Sequence, residues 1–253
     1  MPKGERGRVD KLLVERGLVE SRERGRALIM AGKVVVNGAR VDKPGTAIPI
    51  NAEITLKETP LYVSRGGIKL AGALSRFGID VEGKVVIDVG SSTGGFTDCL
   101  LKGGAQRVYA VDVGKGLLDW KLRNDRRVVP LEGRNVRYLE HGEVGEQADM
   151  AVIDVSFISL EKVIPGVAEL LKGEGRILPL ITPQFDVGRG PGGMGGIVRD
   201  PEKHRMVMER IRVFAEGHGM AVEGLCESPI RGSKGNREFW IYLKVTYAAE
   251  EAG

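Results

Sequence analysis

Lys84-Val85-Val86-Ile87-Asp88-Val89-Gly90-Ser91-Ser92-Thr93-Gly94-Gly95-Phe96 is the stretch whose reading decides the fold. Its first half is apolar and β-branched around a single acid, the composition of a strand buried on both faces. Glycines then free the backbone to turn, and GGFTDCLLKGG (94–104) continues as a helix. The same alternation extends outward. Upstream, residues 66–78 set Ile68, Leu70, Leu74 and Phe77 along a helix. Downstream, strands are expected at 107–114, 126–130, 149–156 and 175–182, with a helix over 160–172 between the last two. A long helix from Pro201 to Glu216 and two strands, 220–228 and 237–245, complete the pattern. Such alternation predicts an α/β fold: a doubly wound, Rossmann-like parallel sheet of about seven strands.

In these sheets ligands bind at the carboxyl ends of the strands, near the reversal of strand order. The loop reads G-S-S-T-G-G, which is not the GxGxxG that seats a pyrophosphate, and no GK[ST] follows. S-adenosylmethionine fits better, since it has no pyrophosphate and its amino-acid part needs a carboxylate and a close backbone. Asp112 closes the next strand 24 residues after Asp88 and can take both hydroxyls of a ribose. The candidate cofactor residues are Asp88, Gly90, Ser91, Ser92, Thr93, Gly94, Gly95, Phe96, Asp112 and Val113. Each alone also reads as ordinary strand-end chemistry.

Composition narrows the function classes. The chain has 253 residues, 42% of them hydrophobic and 28% charged, enough to bury a core. No apolar run is long enough to span a membrane, and the start MPKGERGRVDKLL lacks a secretory core, so a cytoplasmic protein is expected. Cys99 and Cys226 stand alone, as do His141, His204 and His218, so neither a disulfide scaffold nor a metal site is expected. The net charge of +4 is concentrated in residues 1–60, which hold 12 Lys/Arg against 8 Asp/Glu, while the other residues balance at 26 of each. A basic block on a neutral body implies a polyanion partner, or else an ordinary solvated face.

Residues 1–60 read as a small α+β unit. Val9, Leu12, Leu13 and Arg16 keep helical spacing up to Gly17, and Ser21 caps a second helix with Ala27, Leu28, Ile29 and Ala31 on its apolar face. Asn37-Gly38 between β-formers predicts a type I′ hairpin, and Glu53–Leu56 a last strand. The cations Arg8, Lys11, Arg22, Arg24, Arg26 and Lys33, with Arg65 beyond, are the expected RNA contacts. Residues 57–64 read as a linker to a second domain, 65–253. GRGPGGMGG (188–196) reads as a flap over the RNA or cofactor pocket, or else as a plain flexible loop.

The run Ser21-Arg22…Ala27…Gly32-Lys33-Val34…Val36-Asn37-Gly38…Val41…Lys43-Pro44 resembles the small RNA-binding module first known from a ribosomal small-subunit protein. The larger part resembles the FtsJ-like ribose 2′-O-methyltransferases. The whole chain is similar to the TlyA (haemolysin A) family through VSRGGIKL (63–70), DVGSSTGGFTDCLL (88–101), DVSFISL (154–160), PQFDVG (183–188), GGIVRDP (195–201) and KGNREFW (234–240). The resemblance implies S-adenosylmethionine-dependent methylation of cytidine 2′-hydroxyls in ribosomal RNA, with ribosomal subunits as partners. It also implies a Lys-Asp-Lys-Glu tetrad, of which Lys69, Asp154 and Glu238 carry over. Thr182 stands where the second lysine belongs, and a threonine hydroxyl is no base at neutral pH. Lys69 or Lys234 would have to replace that lysine, or the chain would be an RNA-binding or ribosome-assembly factor without turnover. A pore-forming role finds no apolar span to support it.

Overall fold

The computed structural model describes residues 5–57, 60–186 and 197–246, so the glycine-rich flap expected at 188–196 lies outside them. The chain divides into two compact units, Met1–Pro60 and Leu61–Gly253.

The first unit runs Arg6–Arg8 (β1), Val9–Glu15 (α1), Arg22–Met30 (α2), Val34–Val36 (β2), Ala39–Val41 (β3), Ala47–Pro49 (β4) and Ile54–Leu56 (β5). The Ser21 hydroxyl accepts the N–H of Arg24 at 3.2 Å, closing the first turn of α2. Asn37 and Gly38 both take positive φ, the type I′ geometry, and β3 and β5 flank β2 antiparallel. Val9, Leu13, Ile29 and Val34 are fully buried in the core between them. On α2 the inward residues are Gly25 and Ile29, whereas Ala27 and Ala31 face solvent. Gly25 packs near Leu13 and Val19, so the buried stripe is rotated from the one the apolar residues mark. The β1–β4 pair is too short to leave an alternating pattern in the sequence.

The second unit begins earlier than the linker reading placed it. Tyr62 packs against the core, the Val63 N–H donates to Asp98 at 2.9 Å, and Ser64 caps the helix Arg65–Phe77 (α3). Then follow Val85–Val89 (β6), Gly95–Lys102 (α4), Arg107–Asp112 (β7), Trp120–Arg123 (α5), Val128–Glu132 (β8), His141–Val144 (α6) and Ala148–Ile153 (β9). Ile164–Glu169 (α7), Leu171–Ile181 (β10), Pro183–Asp186 (α8), Pro201–Gly217 (α9), Met220–Glu227 (β11) and Phe239–Val245 (β12) complete it. The helix expected over 160–172 is broken: a 3-10 turn at Leu160–Lys162 precedes α7, and β10 already starts at Leu171. Pro165 lacks the N–H an inner helical turn requires, so the helix restarts around it.

Among the described residues seven strands form one sheet in the order β11-β12-β10-β9-β6-β7-β8. β10, β9, β6, β7 and β8 are parallel, but β12 is antiparallel to both neighbours. The sheet is therefore mixed, because β11 returns to β12 through a loop without a crossover helix. Helices cover both faces, and Trp240 on β12 is fully buried against Phe96 at 5.4 Å between ring centroids. From β6 the chain first builds toward β8, then returns to place β9 and β10 on the other side. The switch point is thus the gap between the carboxyl ends of β6 and β9.

Candidate active site

Two cavities open at that gap and share Asp154, Ser156 and Phe157 in their walls. The first, about 440 Å³, lies over β6 and β7 and falls in the range of small-molecule sites. Of the candidate cofactor residues, Gly90, Ser92, Asp112 and Val113 line it. The Asp112 carboxylate accepts the N–H of Ser92 at 2.8 Å and of Gly114 at 2.7 Å, one on each oxygen. Each oxygen keeps a lone pair for a ligand hydroxyl. Gly90 has φ +82°, and a Cβ there would stand 2.2 Å from the carbonyl oxygen of Asp154, so only glycine lets β6 and β9 end this close.

The other candidates lie behind the wall. Asp88 is wholly buried, with one oxygen accepting the Thr97 hydroxyl at 2.6 Å and the other without a partner among the described residues. Burial pushes its carboxyl up to about 7, against the hydrogen bond from Thr97. It sits beneath the loop rather than at the ligand, because a strand interior this deep admits no solvent. Ser91, Gly94, Gly95 and Phe96 are likewise buried, and Thr93 faces solvent away from the cavity. Sequence reasoning missed Leu117, Arg134, Asn135 and Ile158 on the opposite wall. They follow β7, β8 and β9 in loops without a fixed spacing.

The second cavity, about 360 Å³, gathers Arg65, Lys69, Asp154, Thr182, Lys234 and Glu238 from four segments of the chain. The Lys69 ammonium lies 2.7 Å from Glu238 Oε2 and 3.9 Å from Asp154 Oδ2. Burial raises the carboxyls of both Glu238 and Asp154, and the Lys69 charge opposes it in each. Asp154 nonetheless keeps about a third of its side chain open to the cavity, at 31% exposure. Thr182 is buried in the wall opposite. Arg65 donates to the Arg231 carbonyl at 2.5 Å, so this expected RNA contact stands at the mouth of the cavity. Phe157 was not anticipated: it is 85% exposed, holds φ +66°, and lies 4.9 Å from Phe185. A bulky residue held at positive φ marks a strained loop, worth about 1–3 kcal/mol.

In the first unit, Asp10 is fully buried and accepts Arg8 Nε and Nη2 at 3.0 Å each and Arg22 Nε at 2.8 Å. The Arg8 hydrogen bond chiefly holds its carboxyl down at about 2, against burial. Arg8 and Arg22 are therefore partly committed to this acid. Lys11, Arg24 and Arg26 are exposed and Lys33 is half-buried.

Among the described residues no helix is long and apolar enough to cross a membrane, and no cluster of three His, Cys, Asp or Glu side chains could hold a metal ion. Residues 7–54 match the S4 domain, and residues 62–245 match the FtsJ-like methyltransferase family. The chain is 43% identical over 241 residues to the 16S/23S rRNA (cytidine-2′-O)-methyltransferase TlyA of Mycobacterium tuberculosis, covering 94% of this chain and 90% of the relative. It is 40% identical over 237 residues to Hemolysin A of Brachyspira hyodysenteriae, covering 93% and 99%. A solved Streptococcus thermophilus structure named as a hemolysin superposes with TM-score 0.72 at 45% identity, covering 97% and 90%. With a matching S4 domain, a mixed seven-stranded sheet and paired cavities at its switch point, the chain belongs to the FtsJ-like methyltransferase family.

Proposed function

We propose that this protein methylates the ribose 2′-hydroxyl of a cytidine in ribosomal RNA, using S-adenosylmethionine. The observation that carries the reading is the meeting of two cavities at Asp154, one suited to a nucleoside with an amino-acid tail, the other lined by charged groups. Bound S-adenosylmethionine supplies a methyl group on a sulfonium. Asp112, with a lone pair left on each carboxylate oxygen, would hold its ribose. Lys69, fixed between Glu238 and Asp154, would hold the target hydroxyl in line with the methyl. With threonine at 182, the proton goes to Asp154: its raised pKa makes it a stronger base than an ordinary carboxylate, and it faces both cavities. Phe157 offers an exposed aromatic face on which an unstacked base can rest. The S4 domain would dock structured RNA through Arg24, Arg26, Lys11 and Lys33.

The test is incorporation of tritiated methyl into unmodified ribosomal subunits by the chain as it stands and by Thr182→Lys. Transfer by both, faster with the lysine, is the expected result. Transfer by the lysine variant alone would make this chain an RNA-binding factor, the second reading, which the threonine itself favours. Transfer by neither would overturn the methyltransferase reading.

A further inference from the structure

The loop 228–238 between β11 and β12 has two faces. Ser233, Lys234 and Glu238 line the second cavity described above, while Arg231, Gly235 and Arg237 line another of about 450 Å³ that is closed by Arg199 and His204. Among the described residues no acidic side chain lines this further cavity. Arg237 gives Nε and Nη2 to Glu227 at 2.8 and 2.5 Å, which fixes the guanidinium and leaves Nη1 over. Arg231 spends one weak bond of 3.4 Å on the Gly235 carbonyl. Arg199 is exposed next to Val198.

His204, on the second turn of α9, is only 3% exposed. Its Nε2 lies 3.0 Å from the Val198 carbonyl, which can only accept, so Nε2 carries the hydrogen and Nδ1 a lone pair. Val198 is fixed in turn by donating its N–H to Asn236 at 2.8 Å. Nδ1 is buried without a partner among the described residues. A buried acceptor left unsatisfied costs about 1–3 kcal/mol.

We infer that this cavity is a ribonucleotide subsite, in which the guanidiniums of Arg199, Arg231 and Arg237 hold a backbone phosphate and His204 Nδ1 accepts the 2′-hydroxyl of the adjoining ribose. The pairing of an anion site with a hydroxyl acceptor selects RNA over DNA. The shared loop places it beside the transfer cavity, where the strand leaving the target nucleotide must pass. The inference rests on the RNA-methyltransferase reading only for the direction in which that strand runs.

The test is anisotropy of a labelled single-stranded RNA, and of DNA of the same sequence, titrated with the full chain over a range of salt and without cofactor. In Arg199→Gln/Arg231→Gln the dependence of log K on log salt becomes shallower by about 0.7, the value of one phosphate contact on a single strand. In His204→Gln the preference for RNA over DNA narrows by about fivefold, the worth of one net hydrogen bond. The double arginine variant narrows it too, since loss of the phosphate unseats the ribose, so the result stands even where position 204 does not tolerate the amide. An unchanged slope, or an unchanged preference in the double variant, overturns the subsite. A chain that shows these shifts yet transfers no methyl overturns the enzyme reading and leaves the subsite standing.

Discussion

Replacing Gly90 by alanine should destabilise the second unit by about 2–5 kcal/mol. An alanine Cβ would meet the Asp154 carbonyl oxygen at 2.2 Å and its carbon at 3.0 Å, and both are backbone atoms. Restoring an ordinary contact of about 3.5 Å requires the ends of β6 and β9 to part by more than 1 Å. Overpacking of a dense interior costs about 1–3 kcal/mol, and left-handed backbone adds about 1–2 kcal/mol for any residue with a Cβ. Gly83 separates the two contributions: it has φ +69° with nothing within 4 Å of an added Cβ. Gly83→Ala should therefore show only the backbone share. At about 2–4 °C per kcal/mol for a unit of this size, thermal unfolding should fall by roughly 10 °C for Gly90→Ala and by roughly half that or less for Gly83→Ala. Calorimetric titration with S-adenosylmethionine should weaken only in the former. Equal losses of stability in the two variants, with unchanged cofactor affinity, would refute the close approach as a constraint on the site.

Three further outcomes follow from the geometry. The Asp88 carboxyl is raised from 3.8 to about 7 in the fold, so its protonated form favours the native state. That contribution is complete below about pH 4 and lost as pH rises through 7. Asp88→Asn, which still accepts from Thr97, should flatten this loss in urea unfolding at pH 5 and pH 8. Arg24→Glu with Arg26→Glu should weaken RNA binding and flatten its salt dependence. Arg22→Glu is the poorer probe, because it turns a carboxylate toward buried Asp10 and should lower the melting temperature instead. Lys69→Met should cut methyl transfer by about a hundredfold or more, with S-adenosylmethionine affinity unchanged since Lys69 does not line the first cavity.

The legible parts of this chain are those where one residue type answers one local need. The Val85–Val89 strand, the Asn37-Gly38 turn and the Ser21 cap are of this kind, and all three appear in the structure. Strand direction was not legible, because β12 runs antiparallel on account of what its connection lacks. The buried place of Asp88 was hidden too: an acid closing a strand reads alike whether it faces a ligand or the loop above it. Lys69, Asp154 and Glu238 could be named only through the resemblance, since contacts between residues 69 and 238 leave no periodic trace. Phe157 gave no sign, for strain at one residue is set by its neighbours in space.

The order in which the ribosome would make this chain gives the antiparallel strand another meaning. β12 is inserted between β10 and β11, so β10 has an open edge and β11 has no neighbour until residues 239–245 emerge. Open edges invite pairing with other chains, so the nascent protein is most prone to aggregate until β12 has emerged. Glu238 arrives with that same segment, so the sheet and its last acid are completed together. A transcript broken upstream of β12 would yield the RNA-binding unit without a finished transferase. Such a product would keep the S4 domain and lack the part of the second cavity that Glu238 lines.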